Sequence, residues 1–314
     1  MLKFVLRRLL ISIPVLVIIV CATFVLNELS PGDAATALAG DEASPEALAA
    51  LREQLGLDRP WYVRLGEYLA GVAMGDLGTS IYSSATVVQL IGTRLPVTLS
   101  LVLLVLALTV VIGVPLGIWT ATTKHVWVDK VVTALAVITI AAPGFLVAIF
   151  LVTIFAIQLG WLPPSGYVDL TRDPGRWLWH ITLPAIALAA TPAAELARMT
   201  RASMVDVLGA DYLRTARAKG LSSRAIYGKH AMKNAALPVV TILGLQATRV
   251  VGGAVILEQI FNLPGIGSAT ISAVLTRDAP VLFGVVIVVS VLTLLVNLIT
   301  DISYGYFNPS LRAR

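Results

Sequence analysis

Residues 97–121 read VTLSLVLLVLALTVVIGVPLGIWTA, from Val97 to Ala121, without one charged side chain. At a rise of about 1.5 Å per residue, a helix of roughly 20 residues crosses the ~30 Å hydrocarbon core of a bilayer. A helix also satisfies its own backbone donors and acceptors where water is absent. The same test picks out Leu9 to Leu29, Val131 to Leu159, Leu178 to Ala197, Leu237 to Leu257 and Val281 to Ser303. Pro184 and Pro192 interrupt the fourth of these in chain order, and membrane helices tolerate proline where neighbours take up the freed carbonyls. The expected fold is an all-α integral membrane protein with six transmembrane helices.

Composition agrees. The chain is 57% hydrophobic and 13% charged, above the roughly 45–50% apolar content of soluble domains. Its net charge of +5 does not point to nucleic acid, because the basic residues gather beside apolar runs, as in cytoplasmic loops of membrane proteins. Cys21 is the single cysteine, so no disulfide forms within the chain, and its place in the first apolar run reads as packing. A lipoprotein cysteine would want a small residue where bulky Val20 stands. Lys3, Arg7 and Arg8 precede Leu9 to Leu26, a stretch longer than the roughly 7–15 residues of a signal-peptide core and without an A-x-A-like exit. A retained anchor is expected.

Counting Lys and Arg orients the chain. The N-terminus with Lys3, Arg7 and Arg8 is expected in the cytoplasm, and six crossings return Arg312 and Arg314 to the same side. The loop after the fourth stretch carries Arg198, Arg201, Arg214, Arg217, Lys219, Arg224, Lys229 and Lys233, the strongest positive-inside signal in the chain. Ser30 to Pro96 holds about twice as many acids as bases and falls outside, with Gly160 to Trp177 and Gln259 to Pro280. Trp119 and Trp127 then bracket a cytoplasmic turn while Trp161, Trp177 and Trp179 flank an external loop, where aromatic rings favour the interface. Within the external segment, Ser44-Pro45-Glu46 signals a helix start and Gly56 a stop after Gln54. Trp61 to Val72 is a second amphipathic stretch, so 30–96 is expected to form a partly helical external cap between an N-terminal helix, 1–29, and a five-helix core, 97–314.

The source of energy is also legible. Ion-coupled carriers place acidic groups or His inside the membrane, whereas Glu28, Glu258 and Asp301 sit at span ends and no carboxylate is expected at a midplane. No G-x-x-x-x-G-K-[ST] loop is present, so the chain is not itself an ATPase. His125, His180 and His230 lie far apart and belong to no H-E-x-x-H helix, and no G-x-S-x-G turn occurs. No catalytic or metal site is expected.

From Asp211 the chain reads DYLRTARAKGLSSRAIYGKHAMKNAALP. This is a basic helix ended at Gly220, then a second short helix starting near Ser222 or Ser223. On the residues alone two readings stand: a rigid helical pair that carries force from a soluble partner, or a basic helix lying on anionic membrane lipid.

The run from Arg198 to Pro238 resembles the permeases of bacterial oligopeptide, dipeptide and nickel ABC importers, through Arg198-Met199-Thr200-Arg201-Ala202-Ser203-Met204, Thr215-Ala216-Arg217-Ala218-Lys219-Gly220-Leu221 and Asn234-Ala235-Ala236-Leu237-Pro238. Pro31-Gly32-Asp33, Leu55-Gly56-Leu57-Asp58-Arg59-Pro60, Gly75-Asp76-Leu77-Gly78, Arg94-Leu95-Pro96, Glu258 and Asn262-Leu263-Pro264-Gly265-Ile266-Gly267 extend the likeness to the B-type permease over nearly the whole chain. The resemblance implies a type I importer permease fold. Its partners would be a second homologous permease, two ATP-binding subunits that hold ATP and Mg, and an extracytoplasmic binding protein that delivers the solute. No cofactor would sit in this chain.

It further implies that the 198–237 loop docks on the ATP-binding subunits, with Arg214, Thr215 and Ala216 in the E-A-A places of the family signature and Gly220 in its glycine place. Arg217, Lys219, Leu221, Ser222, Arg224, His230 and Lys233 belong to the same docking segment. The chain departs from the signature at Arg214, where Glu is general, and at His230-Ala231-Met232-Lys233, where I-x-L-P is. Di- or oligopeptides are the expected cargo, with nickel complexes, haem and glutathione as alternatives and an ion-coupled carrier as the competing class. Gln246 and Arg249 lie inside the fifth span, where a cation costs roughly 2.5–3.5 kcal/mol unless it faces a cavity or a partner. Two readings stay open: they line the path, or Arg249 snorkels or pairs with a helix of the partner permease. Gly113-x-x-x-Gly117 and Gly252-Gly253 permit close helix packing.

Overall fold

The computed structural model describes residues 2–30, 32–40, 43–222 and 225–307. In chain order they form α1 (Leu2–Leu29), α2 (Ala34–Ala39), α3 (Pro45–Gln54), α4 (Trp61–Ala73), α5 (Val87–Thr122), α6 (Val126–Ala141) and α7 (Gly144–Leu151), which runs on as a π-helical turn, Val152–Gln158. There follow α8 (Pro174–Leu208), α9 (Asp211–Ala218), a π-helical turn Ile226–Ala231 continuous with α10 (Met232–Ile260), α11 (Ile266–Thr276) and α12 (Ala279–Phe307). Among the described residues the only β pairing is an isolated bridge between Thr79 and Thr86.

Among the described residues five helices are long and apolar enough to cross a membrane: Leu6–Leu29, Val87–Thr122, Pro174–Leu208, Met232–Ile260 and Ala279–Ser303. The sixth expected span, Val131 to Leu159, is not one straight helix. Val126–Ala141 and Gly144–Gln158 meet at 105°. Proline disfavours the α conformation of the residue before it, and Ala142 is accordingly extended (φ −77°, ψ 127°) while Pro143 opens α7. The fourth span is longer than expected, because Asp173 caps its start by accepting from the Arg176 amide at 2.9 Å and the helix carries Pro184 and Pro192 without a break.

The chain divides into two compact units, residues 1–98 with 264–294, and residues 99–263 with 295–314. In the first, Val87 and Ile91 of α5 pack with Ile266, Ala269 and Ala273 of α11 and with Val281 and Val285 of α12. The helices expected at Pro45–Gln54 and from Trp61 are present, and Ser44 caps the former by accepting from the Ala47 amide. Asp33 caps α2 and also pairs with Arg52 of α3 at 2.7 Å. Arg64 of α4 pairs with Glu28 of α1 and lies 5.9 Å from the centre of the Phe24 ring. Buried Ser80 donates to Asp278 at 2.6 Å, which ties the 79–86 loop to the start of α12.

In the second unit α8 is the central helix, packed on α10, α6 and α7. Its most apolar window is 61% buried within the protein, against 11% for α1. Small residues permit this: a Cβ on Gly113 or Gly117 of α5 would come within 2.9 Å of the Ala193 carbonyl or 2.5 Å of the Ala197 carbonyl. Close approach without a Cβ is how small-xxx-small pairs join helices where lipid offers no hydrophobic drive.

Candidate functional site

The segment between α8 and α10 is built on a small core. Leu213 of α9 is fully buried with Met204 of α8 and with Ile226, Ala231 and Ala235. Burying a leucine contributes about 1.5–3 kcal/mol, more than the ~1 kcal/mol that a missing N-cap side chain costs α9. Around this anchor Arg214, Thr215, Arg217, Lys219 and Gly220 are exposed and Ala216 is half-buried. Arg214 and Asp211 are 3.6 Å apart, but both are so exposed that water screens the pair and the positive face stays available.

The end of α9 is fixed by backbone chemistry. The Gly220 amide donates to the Arg217 carbonyl at 2.9 Å and the Leu221 amide to the Ala216 carbonyl at 3.3 Å, with Gly220 at φ +77°. This is a Schellman stop, which needs a residue at ease in the left-handed region. Leu221 then packs against the Leu213 core. Ser222 accepts from the Ala225 amide at 3.4 Å, where the second helix was expected to begin, but that helix is a π-helical turn that merges with α10. Asn234 donates to the Tyr212 hydroxyl at 2.7 Å and to the His230 carbonyl at 3.1 Å, tying α9 to α10. His230 is half-buried and Lys233 exposed. Arg224 lies outside the described residues.

Gln246 and Arg249 face a third residue that the sequence reading passed over, Glu195. The fourth expected span stops at Ala197, two residues past Glu195, but α8 continues to Leu208 and places Glu195 well inside it. Gln246 donates to Glu195 Oε2, and Arg249 meets the same oxygen at 3.4 Å. With Gly144, Thr191 and Pro192 they line a cavity of about 160 Å³ beside the break between α6 and α7. An ionisable residue in an apolar run is the sequence signal that could have found Glu195. Farther along α8, Arg201 grips Asp129 of α6 through two bonds of 2.5 and 2.6 Å.

In the first unit a cavity of about 680 Å³ is lined by Glu28, Arg52, Arg64, Tyr68, Arg277 and their neighbours. Burial pushes the Tyr68 phenol up, and its hydroxyl has no partner among the described residues. Among the described residues no group of three or more His, Cys, Asp or Glu could hold a metal ion.

Residues 113–313 match the family described as the binding-protein-dependent transport system inner membrane component, and residues 1–102 match the N-terminal region of such membrane components. The chain belongs to this family. The permease is 42% identical over 308 residues to a putative peptide transport system permease protein of Brucella abortus, covering 98% of each chain. It is 38% identical over 333 residues to the dipeptide transport system permease protein of Alkalihalophilus pseudofirmus, covering 99% of the permease and 100% of that relative. It is 41% identical over 312 residues to the glutathione transport system permease protein of Salmonella choleraesuis, covering 99% of each. Inward-facing crystal structures of the MetNI methionine ABC transporter share its fold, one at a TM-score of 0.58 and 16% identity over 70% of the permease and 97% of that chain. The permease is thus a multi-pass, all-helical component of an ABC importer, a transport subunit that works with ATPase and binding-protein partners.

Proposed function

We propose that this permease passes di- or oligopeptides across the bacterial inner membrane, driven by ATP hydrolysis in partner subunits. One observation carries the reading most: α9 is anchored at Leu213, ended at Gly220 and exposes Arg214, Arg217 and Lys219. A short helix held rigidly on a hydrophobic peg can move α8 and α10 when a partner pulls on it. The likeness to peptide and dipeptide permeases favours peptides as cargo. Glutathione, a tripeptide, is the second reading, favoured by the Salmonella relative.

In this reading both termini and the 198–237 loop face the cytoplasm, and 30–96 forms the external cap. The permease pairs with a second homologous permease, two ATP-binding subunits that hold ATP and Mg, and an external binding protein. ATP-driven closure of the ATP-binding subunits pulls on Arg214 to Lys233, and the permease pair turns outward to accept solute. The ATP-bound dimer must favour one permease state by a differential free energy. Gln246 and Arg249 line the path.

The test is Arg214→Glu with Arg217→Glu, which reverses the exposed charge without touching Leu213. Tagged wild-type permease is expected to recover two ATP-binding subunits and a second permease, and to support uptake of a labelled dipeptide. The variant is expected to keep the second permease and lose the ATP-binding subunits with uptake. Retention of both would refute the docking role.

A further inference from the structure

We propose that Glu195, Gln246 and Arg249 form a subsite for the charged termini of the solute, Arg249 receiving a carboxylate and Glu195, steadied by Gln246, an ammonium. The proposal rests on the import reading above and names the chemistry that the path selects.

Two ion pairs on α8 differ in geometry and exposure. Arg201 and Asp129 make a two-pronged contact at 2.5 and 2.6 Å, the geometry of a pair that fastens helices. Arg249 meets Glu195 by one nitrogen at 3.4 Å, and its side chain is 66% exposed while that of Glu195 is 19% exposed. The guanidinium has five donors in a planar fork, and the long single contact leaves most of that fork for another acceptor.

Gln246 makes the exchange possible. It is buried and donates to the same Oε2 that Arg249 touches. The carboxylate therefore keeps a hydrogen bond when Arg249 turns away, and is not stranded without a partner in an apolar span. At about 160 Å³ the cavity beside them has room for the ammonium end of a peptide at half-buried Glu195, while the exposed fork of Arg249 turns outward to the carboxylate end. Gly144, directly after the break in the third span, forms part of its wall, and a Cβ there would meet nothing within 4 Å.

The charge arithmetic favours a solute that carries both signs. An incoming ammonium pairs with Glu195 and an incoming carboxylate with Arg249, so all four charges are matched and the site stays neutral. A solute blocked at one end leaves one resident charge without its new partner. Charged hydrogen bonds lost in this way reduce transfer by about tenfold or more.

The test uses the complete importer in liposomes with ATP on the ATP-binding side, and labelled trialanine in free, N-acetylated and C-amidated forms. The readout is the ratio of uptakes between substrates, so a variant that assembles less well still answers. Arg249→Gln is expected to lose about tenfold of the preference for the free over the amidated peptide and to keep the preference for the free over the acetylated one. Glu195→Gln is expected to do the reverse. Because the binding protein is the same throughout, any change in these ratios belongs to the permease. Ratios that stay as in wild type in both single variants would overturn the subsite and leave a structural bridge. A wild-type importer that hydrolyses ATP and moves none of the three peptides would overturn the peptide reading and the subsite with it.

Discussion

Asp33 carries two jobs with one carboxylate. One oxygen accepts from the Thr36 amide at 2.8 Å to cap α2, and the other accepts from Arg52 at 2.7 Å. Burial raises its pKa, but the Thr36 amide and the Arg52 guanidinium outweigh that, and the group sits below its ordinary value. A lowered carboxylate contributes stability that is present above the unfolded-state value, near 3.9, and is lost as pH falls through the folded one. Acidification below about pH 4 is therefore expected to loosen α2 and α3. Hydrogen exchange of the 34–39 amides, compared at pH 3 and pH 7 after correction for intrinsic rates, checks this. Asp33→Asn keeps an acceptor for the cap and loses the ion pair, so it is expected to show most of that loosening already at pH 7.

At the scale of the element, two glycines differ in what they are for. Gly220 has no atom within 4 Å of its missing Cβ, but its φ is +77°. Only the backbone constrains it. Gly220→Asn is expected to be tolerated, and Gly220→Val to destabilise the end of α9 by about 1–2 kcal/mol, since a β-branched residue resists the left-handed region. Loss of co-purifying ATP-binding subunits from the valine variant alone is the measurement. Gly117 is the opposite case, inside a helix and within 2.5 Å of the Ala197 carbonyl once a Cβ is added. Gly117→Leu is expected to force α5 off α8 and cost about 1–3 kcal/mol or more, read as a lowered melting temperature of the purified permease. Gly252, in open space, is the control, and Gly252→Ala is expected to leave the melt unchanged.

For the whole molecule, orientation is the prediction that matters most, because a loop proposed to dock on ATP-binding subunits must lie on the side that holds ATP. In a Cys21→Ser background, Arg172→Cys is expected to react with a membrane-impermeant maleimide on intact cells stripped of their outer membrane. Lys219→Cys is expected to react only after the membrane is opened. The opposite pattern would place the 198–237 loop outside and end the coupling reading.

How much of this is legible in the sequence depends on which interactions are local. Five of the six apolar stretches, the Ser44 cap, the helix from Trp61 and the stop at Gly220 follow from hydrophobicity, capping and turn chemistry, and appear where those rules put them. The break at Pro143 was also local, but a count of apolar residues is blind to direction, so Val131 to Leu159 read as one span where the chain turns by 105°. Leu213 stood in plain view as the one large aliphatic residue among charged neighbours of α9, yet its role depends on Met204 and Ile226, which no local rule brings to it. Glu195 and Arg249 are separated by a long stretch of chain that leaves one helix and enters another. Sequence by itself determined that the protein lives in a membrane, where most of its long helices run and which family it belongs to, because solvent preference and backbone capping act over a few residues. Only the tertiary structure decided that Glu195, Gln246 and Arg249 meet, because side chains on different helices find one another through the packing of α8 on α10.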